Sequence, residues 1–325
     1  MNKRGFGKAV CLGGIAVAVA GLAVGFFSRY WIELDVFSHL TLHFVIAILA
    51  LAIAYFTPKS LQLAVALLVM AAGMIALGSW GKLSADQFQV EARTPVGERA
   101  LRVMHFNIWG RNQSLDDVAS EVARLDPDIL FLTEVRKRGQ RLTAMLDRRF
   151  AYRLPEKGRL ARSLTMYSKY PFSASQRLRR GDGLSIVRGT LGADWQYLNI
   201  VGTHLSRPPD IQDQEREILT VAKLVKALSG ASVVVGDFNA TPHSAMLELF
   251  QSHTGLRRVT FLPTWPALGL NLPQFAIDHI FISDGLSLAM PAIVGRYAGS
   301  DHLPVAASIL VPQCDTERLC TGDVK

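Results

Sequence analysis

The sequence predicts an α/β domain preceded by three transmembrane helices. Hydrophobic residues make up 50% of the 325 residues, but they are concentrated in the first quarter of the chain. After residue 100, short β-branched runs alternate with amphipathic helical spacing, which is typical of a single α/β domain. We therefore divide the chain into a membrane region at 1–82, a linker at 83–99, an α/β domain at 100–312 and a polar tail at 313–325.

Three uncharged runs predict the membrane helices, at about 9–27, 36–56 and 61–81. Each is long enough to cross a bilayer core of about 30 Å as a helix. Only His39 and His43, near one end of the second run, are ionisable. A soluble protein would need a very large core to cover three such runs, so we interpret them as spanning helices.

The cations that flank these runs predict the orientation. Three precede the first run and one lies between the second and third: Lys3, Arg4, Lys8 and Lys59. The positive-inside rule then places the amino terminus in the cytoplasm and the α/β domain outside it. The same result follows if the first run is a cleaved signal peptide, because the other two form a hairpin. We expect a multi-pass protein of a bacterial inner membrane with a periplasmic domain.

Charge and cysteine content suggest partners and compartment. The formal charge of +8 suits a polyanion or an anionic membrane surface. Residues 136–188 hold fifteen Lys or Arg against three acids, so this part could face a polyanion, although a solvated surface is the commoner explanation. Cys314 and Cys320 could form a disulfide in an oxidising compartment.

The α/β domain is predicted as alternating strands and helices. Ser114 can cap a helix whose apolar face carries Leu115, Val118, Val122 and Leu125, and residues 210–228 form a second helix. Strands are predicted at 101–107, 128–134, 197–202, 275–282 and 303–310. A further strand, 233–235, contains three valines in succession, as strands buried on both faces do.

Polar side chains stand at the ends of these strands. They are Asn107, Glu134, His204, Asp237, Asn239, Asp278, Asp301 and His302. Singly, each has a structural explanation: Glu134 could pair with a cation and Asp278 could cap a turn. Strands of one sheet bring their ends to one edge, so together they predict a site. Oxygen ligands without thiolates favour Mg²⁺ or Mn²⁺, with the histidines left for phosphate contact and proton transfer.

An ordered series of motifs carries a family resemblance. The series runs His105-Phe106-Asn107-Ile108-Trp109, Leu132-Thr133-Glu134-Val135, Gly202-Thr203-His204-Leu205, Gly236-Asp237-Phe238-Asn239, Ile277-Asp278-His279 and Ser300-Asp301-His302. It resembles the endonuclease/exonuclease/phosphatase (DNase I-like) superfamily over about 101–311. The resemblance implies a four-layer α/β sandwich and divalent-metal-dependent hydrolysis of phosphoester bonds.

The resemblance also implies a role for each site residue. Glu134 is implied as the principal metal ligand, with Asn107 and Asp301 near it. Asp237 and Asn239 would orient or activate the attacking water, while His204 and His302 would hold the phosphate. Asp278 would fix the tautomer and charge of His302. Either Asp237 or His302 could take the proton.

The predicted membrane region indicates one branch of this superfamily. Spans followed by a compact domain are similar to the membrane-attached bacterial branch that includes teicoplanin-resistance proteins, for which a lipid-linked phosphate substrate is implied. We therefore expect a membrane-anchored phosphoesterase acting outside the cytoplasm on a phosphate ester or pyrophosphate. The alternatives are an extracytoplasmic nuclease acting on DNA or RNA and, from a different class, a catalytically inactive binding module.

Overall fold

The computed structural model describes residues 3–80, 94–135, 140–155, 164–179 and 184–313. Most of the expected linker and the expected disulfide between Cys314 and Cys320 lie outside these residues. The first strand of the α/β domain begins at Glu98 and the last ends at Pro312.

The amino-terminal region consists of helices α1 (Lys3–Phe27), α2 (Asp35–Ser38), α3 (Thr41–Tyr55) and α4 (Gln62–Trp80). Two helical stretches, 6–27 and 62–80, are long and apolar enough to cross a membrane. The α1 helix contacts α3, and α3 contacts α4, so the three pack side by side.

The expected single helix at 36–56 is wrong. The chain is broken between Ser38 and Thr41, and the helical segments on either side meet at 49°. Polar side chains explain the break: the Ser38 hydroxyl donates to the Asp35 carboxylate at 2.7 Å, and that carboxylate also accepts from the backbone N–H of Ala245 at 2.7 Å. Only by counting the bent pair as one span does the number of candidate spans reach three.

The first sheet has seven strands, in the order β11-β13-β1-β2-β4-β3, with β12 also paired to β13. These strands are β1 (Glu98–Asn107), β2 (Ile129–Thr133), β3 (Tyr152–Pro155), β4 (Leu164–Ser168), β11 (Ser287–Leu288), β12 (Ile293–Val294) and β13 (Val305–Pro312). The central pair, β1 and β2, is parallel and places Asn107 beside Thr133. The β13 strand runs antiparallel to β1, so its beginning lies near the end of β1.

The second sheet has six strands, in the order β5-β6-β7-β8-β10-β9. They are β5 (Phe172–Arg179), β6 (Ser185–Leu191), β7 (Asn199–His204), β8 (Ser232–Asp237), β9 (Arg257–Arg258) and β10 (Asp278–Ile282). The expected valine strand continues through Gly236 to Asp237, and all its residues are buried.

Helices cover the outer faces of both sheets and complete four layers. These helices are α5 (Leu115–Leu125) and α6 (Gln140–Leu146) on the first sheet, and α7 (Ile211–Lys226) and α8 (Ala245–Thr254) on the second. Ser114 lies at the start of α5 but makes no side-chain capping bond. The layered α/β sandwich with two sheets agrees with the expected fold class.

The inner faces of the sheets share one apolar core. Phe131 of β2 and Val235 of β8 belong to it and are fully buried. The sheets approach closely at Gly202 of β7, where a Cβ atom would lie 1.8 Å from the Phe131 ring. A side chain at Gly202 would therefore push apart the two sheets, whose strand ends carry the predicted site residues.

The basic segment does not present a continuous cationic face in the part the structure describes. Residues 136–139, 156–163 and 180–183 lie outside it. Within it, Arg149 and Lys169 both contact the Asp126 carboxylate, at 3.1 and 3.0 Å, and Arg141 contacts Asp116 at 2.9 Å. These pairs on the outer surface of the first sheet favour the solvated-surface explanation for the described cations.

Candidate active site

The predicted site residues come together from both sheets, and not from one sheet as expected. Asn107 and Glu134 lie at the carboxyl ends of β1 and β2, while His204 and Asp237 end the parallel strands β7 and β8 in register. The Asn107 side-chain amide donates to the Asp237 carboxylate at 3.0 Å and so links the two sheets.

Antiparallel strands add the remaining residues to this edge. Asp278 begins β10 directly opposite Asp237. Asp301 and His302 precede β13, and the Ser300 hydroxyl donates to the Asn107 backbone carbonyl at 2.7 Å, which fixes their loop beside β1. Because β10 and β13 run antiparallel to β8 and β1, residues at their beginnings lie at the same edge as residues at the ends of β8 and β1.

A hydrogen bond joins Asp278 to His302. His302 Nδ1 lies 2.8 Å from Asp278 Oδ2, and the Thr264 hydroxyl donates to the same oxygen at 2.5 Å. The other carboxylate oxygen of Asp278 lies 3.1 Å from His105 Nδ1. Asp278 and His105 are fully buried and His302 nearly so, which strengthens the hydrogen bond between Asp278 and His302. His105 lies within ion-pair distance of the other carboxylate oxygen.

The charges of this network are set by burial and by neighbouring groups. Burial opposes the charged form of His302, but Asp278, Asp237 and Asp301 raise its pKa to about 10. Burial likewise opposes ionisation of Asp278, yet His302 and His105 hold the pKa of that carboxyl well below its usual range. At neutral pH the pair is therefore an imidazolium and a carboxylate.

Asp237 has a different environment from Asp278. Burial and the neighbouring Asp278 charge raise the pKa of Asp237 to about 6, against opposing effects of His302, His105 and Asn107. Its Oδ2 lies 3.5 Å from His204 Nε2 and 3.8 Å from His302 Nε2. A carboxyl with a pKa near neutrality, facing two imidazoles, is suited to proton transfer.

Glu134 and Asp301 form the carboxylate end of the site. Glu134 accepts from the Asn107 amide at 3.3 Å and from the Gly110 backbone N–H at 2.9 Å. Burial and, less strongly, the charge of Glu134 raise the pKa of Asp301, while the charge of His302 opposes this shift. A cation between two neighbouring carboxylates would relieve their repulsion.

Asn239 is held by the end of β8 and by the loop that follows β7. Its backbone N–H donates to Asp237 Oδ1 at 2.9 Å, and its side-chain amide donates to the Leu205 carbonyl at 2.9 Å. Asn239, Glu134 and Trp109 all have left-handed backbone conformations, with φ of 50°, 60° and 55°. Such conformations cost on the order of 1–3 kcal/mol and concentrate at functional sites.

The site residues line a cleft of about 1030 Å³. Of the predicted residues, Asn107, Glu134, His204, Asp237, Asn239, Asp301 and His302 border it, while Asp278 lies behind His302. The structure therefore brings all of the predicted residues to one place.

Four further residues at or beside the cleft were not predicted from the sequence. His105 and Thr264 contact Asp278, and Arg111 and Arg207 are exposed at the edge of the cleft. His105 occurs two residues before Asn107 on the same strand, so side-chain alternation places both on one face and could have indicated it. Thr264 carries no such signal, because only the fold brings its loop to Asp278.

The side chains at this edge fit a hard divalent cation. Asp301 Oδ1 is buried in the cleft without a hydrogen-bond partner among the described residues. Glu134 and the Asn107 amide are beside it, and oxygen donors of this type suit Mg²⁺ or Mn²⁺. A second possible set of metal ligands has its ligand atoms within 4.8 Å of one another: Asp237, Asp278 and His302. Its Asp278 and His302 atoms are already hydrogen-bonded to each other, so that group is less open to an ion.

Several solved structures have a fold similar to that of this chain. An endonuclease/exonuclease/phosphatase from Beutenbergia cavernae is 18% identical, with 66% of this chain and 72% of that chain covered and a TM-score of 0.53. A family protein from Bacteroides thetaiotaomicron is 15% identical, with 70% and 99% covered and a TM-score of 0.56. D. rerio TDP2 complexed with single strand DNA product is 17% identical, with 65% and 98% covered and a TM-score of 0.54. At these identities the likeness concerns the fold.

Sequence comparison identifies the family. No curated protein matches the chain. The family model described as Endonuclease/Exonuclease/phosphatase family matches residues 104–302, which is more than half of the 325 residues. The chain therefore belongs to the endonuclease/exonuclease/phosphatase family and is a metal-dependent phosphoric ester hydrolase.

Proposed function

We propose that this protein is a membrane-anchored phosphoesterase that hydrolyses a phosphate ester or pyrophosphate outside the cytoplasm, at the membrane surface. The observation that carries the chemistry is the single cleft in which Glu134 and Asp301 face His204, Asp237 and His302. It places carboxylates for a metal beside cationic and proton-accepting groups for a phosphate.

We assign the metal to the end formed by Glu134, Asn107 and Asp301. A divalent metal held there supplies positive charge to a phosphate oxygen and lowers the pKa of a bound water. Both oxygens of Glu134 accept hydrogen bonds from this chain, at 3.3 and 2.9 Å, so its carboxylate is already oriented before an ion binds.

We assign His302 and His204 to the phosphate. Asp278 holds His302 Nδ1, so Nε2 is the atom directed toward Asp237 and the cleft. With its pKa raised to about 10, His302 is charged and can neutralise a developing negative charge on phosphorus oxygens. Because His302 already carries its proton at neutral pH, it is not available there to accept another.

The proton acceptor is then Asp237. Its pKa of about 6 lets the ionised form predominate at neutral pH while it remains basic enough to take a proton from an attacking water. Asn239 directs Asp237 through its backbone N–H at 2.9 Å. In-line attack at phosphorus needs mainly this positioning and charge neutralisation, and little covalent work by the protein.

The membrane anchor is supported by the surface of the amino-terminal helices. Large apolar side chains point outward from them, including Val17 at 71% and Leu63 at 73% exposure. Apolar helix surfaces that the rest of the chain leaves exposed are stable when the hydrocarbon of a membrane covers them. With cations in the first turns of α1 and Lys59 between α3 and α4, the positive-inside rule favours a domain outside the cytoplasm.

An extracytoplasmic nuclease is the second candidate. It is favoured by the fold shared with D. rerio TDP2, whose structure contains a single strand DNA product. Exposed Arg111 and Arg207 at the edge of the cleft suit a nucleic-acid backbone as well as other phosphates. An inactive binding module is disfavoured, because such a module has no need for a buried Asp237 with a shifted pKa.

A substrate panel tests the proposal. The full chain in detergent would be given a soluble aryl phosphodiester, an alkyl pyrophosphate and single-stranded DNA, each with Mg²⁺ and with EDTA. We expect metal-dependent hydrolysis of the pyrophosphate or phosphodiester. Faster turnover of DNA than of either small substrate would favour the nuclease, and no turnover of any of them would overturn the proposed function.

A further inference from the structure

The catalytic cleft is bordered by residues from outside the α/β domain. Val36 of α2, together with His39 and Leu40 between α2 and α3, lines the same cleft as Glu134 and His302. The break in the second apolar run therefore brings part of the amino-terminal region into the active site.

This segment is hydrogen-bonded to the loop that follows β8 and to the start of α8. Asp35 accepts from the backbone N–H of Ala245 at 2.7 Å and from the Ser244 hydroxyl at 2.5 Å. His39 Nδ1 accepts from the backbone N–H of Thr241 at 3.3 Å, two residues after Asn239. The segment thus has a defined position relative to the phosphate-binding groups.

Two side chains of this segment and two of the α/β domain form an apolar surface, which we call the apolar wall: Val36 and Leu40, with Trp265 and Phe275. All four line the cleft. Val36 is 43% exposed and Trp265 is 36% exposed, so apolar area remains open to the cleft beside the polar groups. Exposed apolar area next to a catalytic site is typical of a surface that a ligand covers.

The apolar wall is continuous with the helices proposed to span the membrane. The Phe275 ring stacks on His43 of α3 at 4.9 Å and contacts the Trp265 ring at 5.8 Å, both measured between centroids. The loop that carries Trp265 is hydrogen-bonded to the metal end of the site, because the Ala267 backbone N–H donates to the Asp301 backbone carbonyl at 2.7 Å. One surface therefore extends from α3 to the metal end of the site.

We infer that the apolar wall is a subsite for the hydrocarbon chain of an amphiphilic phosphoester, whose phosphate occupies the groups around His302. This inference rests on the proposed function. A chain that enters along α3 would remain in an apolar environment up to the site of hydrolysis. A nucleic acid fits this surface poorly, because the phosphates next to the scissile one would face apolar side chains.

Chain length provides the test. The full protein in mixed micelles with Mg²⁺ would be given butyl and hexadecyl pyrophosphate, with a soluble aryl phosphodiester to report the chemistry. Val36→Ser removes apolar area from the wall. Phe37→Ser is the matched control, because Phe37 is the next residue of α2, is 38% exposed and does not line the cleft. Partitioning of the substrates into micelles is the same for all variants and cancels between them.

We expect wild type to prefer the hexadecyl substrate by about tenfold or more in kcat/KM, since burial of about two additional methylenes is enough for such a factor. Val36→Ser should reduce this preference severalfold, and Phe37→Ser should retain it. Equal kcat/KM for the two chains, equal effects of the two variants, or faster hydrolysis of single-stranded DNA would overturn the inference while leaving phosphoester hydrolysis intact. No turnover of any substrate would instead overturn the proposed function on which it rests.

Discussion

Asp278 and His302 are joined by a hydrogen bond of 2.8 Å in a place that water barely reaches. The same carboxylate contacts His105 at 3.1 Å, so one buried acid lies between two imidazoles. The bond to Nδ1 determines which nitrogen of His302 faces the cleft and stabilises the imidazolium. If His302 binds the phosphate, Asp278 acts on the substrate only through it.

We expect Asp278→Asn to lower turnover by about a hundredfold or more with the fold retained, and His302→Ala to lower it at least as much. The double variant should be little worse than His302→Ala, because groups that act as one unit are not additive. Turnover and melting temperature of the three variants check this. Losses that multiply, or a fall in stability without a fall in turnover of the folded protein, would count against the coupling.

The raised pKa of His302 predicts a dependence of stability on pH. The unfolded histidine titrates near 6.5 and the folded one at about 10, so its contribution is fully present below about 6.5 and is lost as pH rises through 10. The difference in melting temperature between wild type and His302→Gln, measured in EDTA, should therefore shrink across this interval. A difference that does not change with pH would contradict the charged state of His302.

The contact between Asp35 and the start of α8 predicts that the amino-terminal region stabilises the α/β domain. Replacing Asp35 with Ala leaves the Ala245 N–H and the Ser244 hydroxyl without their acceptor, which should cost about 1–3 kcal/mol of stability. Denaturation of the full chain in detergent measures this. Glu33→Gln is the control, because Glu33 is exposed nearby and should change stability by less than about 0.5 kcal/mol. Equal effects of the two substitutions would show that the contact is not stabilising.

Membrane topology provides a separate prediction. A reporter fused after Val311 should behave as periplasmic, because a basic amino terminus followed by three spans, with the bent pair counted as one, would place the domain outside. Enzymatic reporters that are active on only one side of the membrane distinguish the two outcomes. A cytoplasmic signal would show that the bent pair around His39 does not cross the membrane and would overturn the extracytoplasmic site.

Much of the α/β fold could be predicted because burial determines the sequence pattern. The valines of β8 and the apolar face of α5 are buried as expected. The break at Ser38 was missed, because uncharged length alone does not show that Asp35 forms hydrogen bonds with residues 209 and 210 positions away. Hydropathy depends only on the local composition of the chain. A hydrogen bond between residues so far apart in sequence can be found only from the folded structure.

The site residues could be predicted by type and position, but their division between two sheets could not. A strand end gives the edge on which a side chain lies and not which sheet contains it. Thr264 illustrates the remaining gap, because it donates to Asp278 from a loop with no periodic pattern. Gly236 is a further residue whose role only the structure shows: a Cβ there would lie 1.9 Å from the Thr203 carbonyl, so the glycine permits the close approach of β7 and β8.

The most direct test of the account is the metal requirement of Glu134→Gln. If Glu134 holds the metal, this variant should need at least about tenfold more Mg²⁺ or Mn²⁺ for half-maximal phosphoester hydrolysis, since one charged ligand is lost. Glu248→Gln, an exposed position on α8 outside the cleft, should leave the requirement unchanged. Hydrolysis by wild type and Glu134→Gln that is equally fast in EDTA would contradict the central claim that a metal at this site carries the reaction.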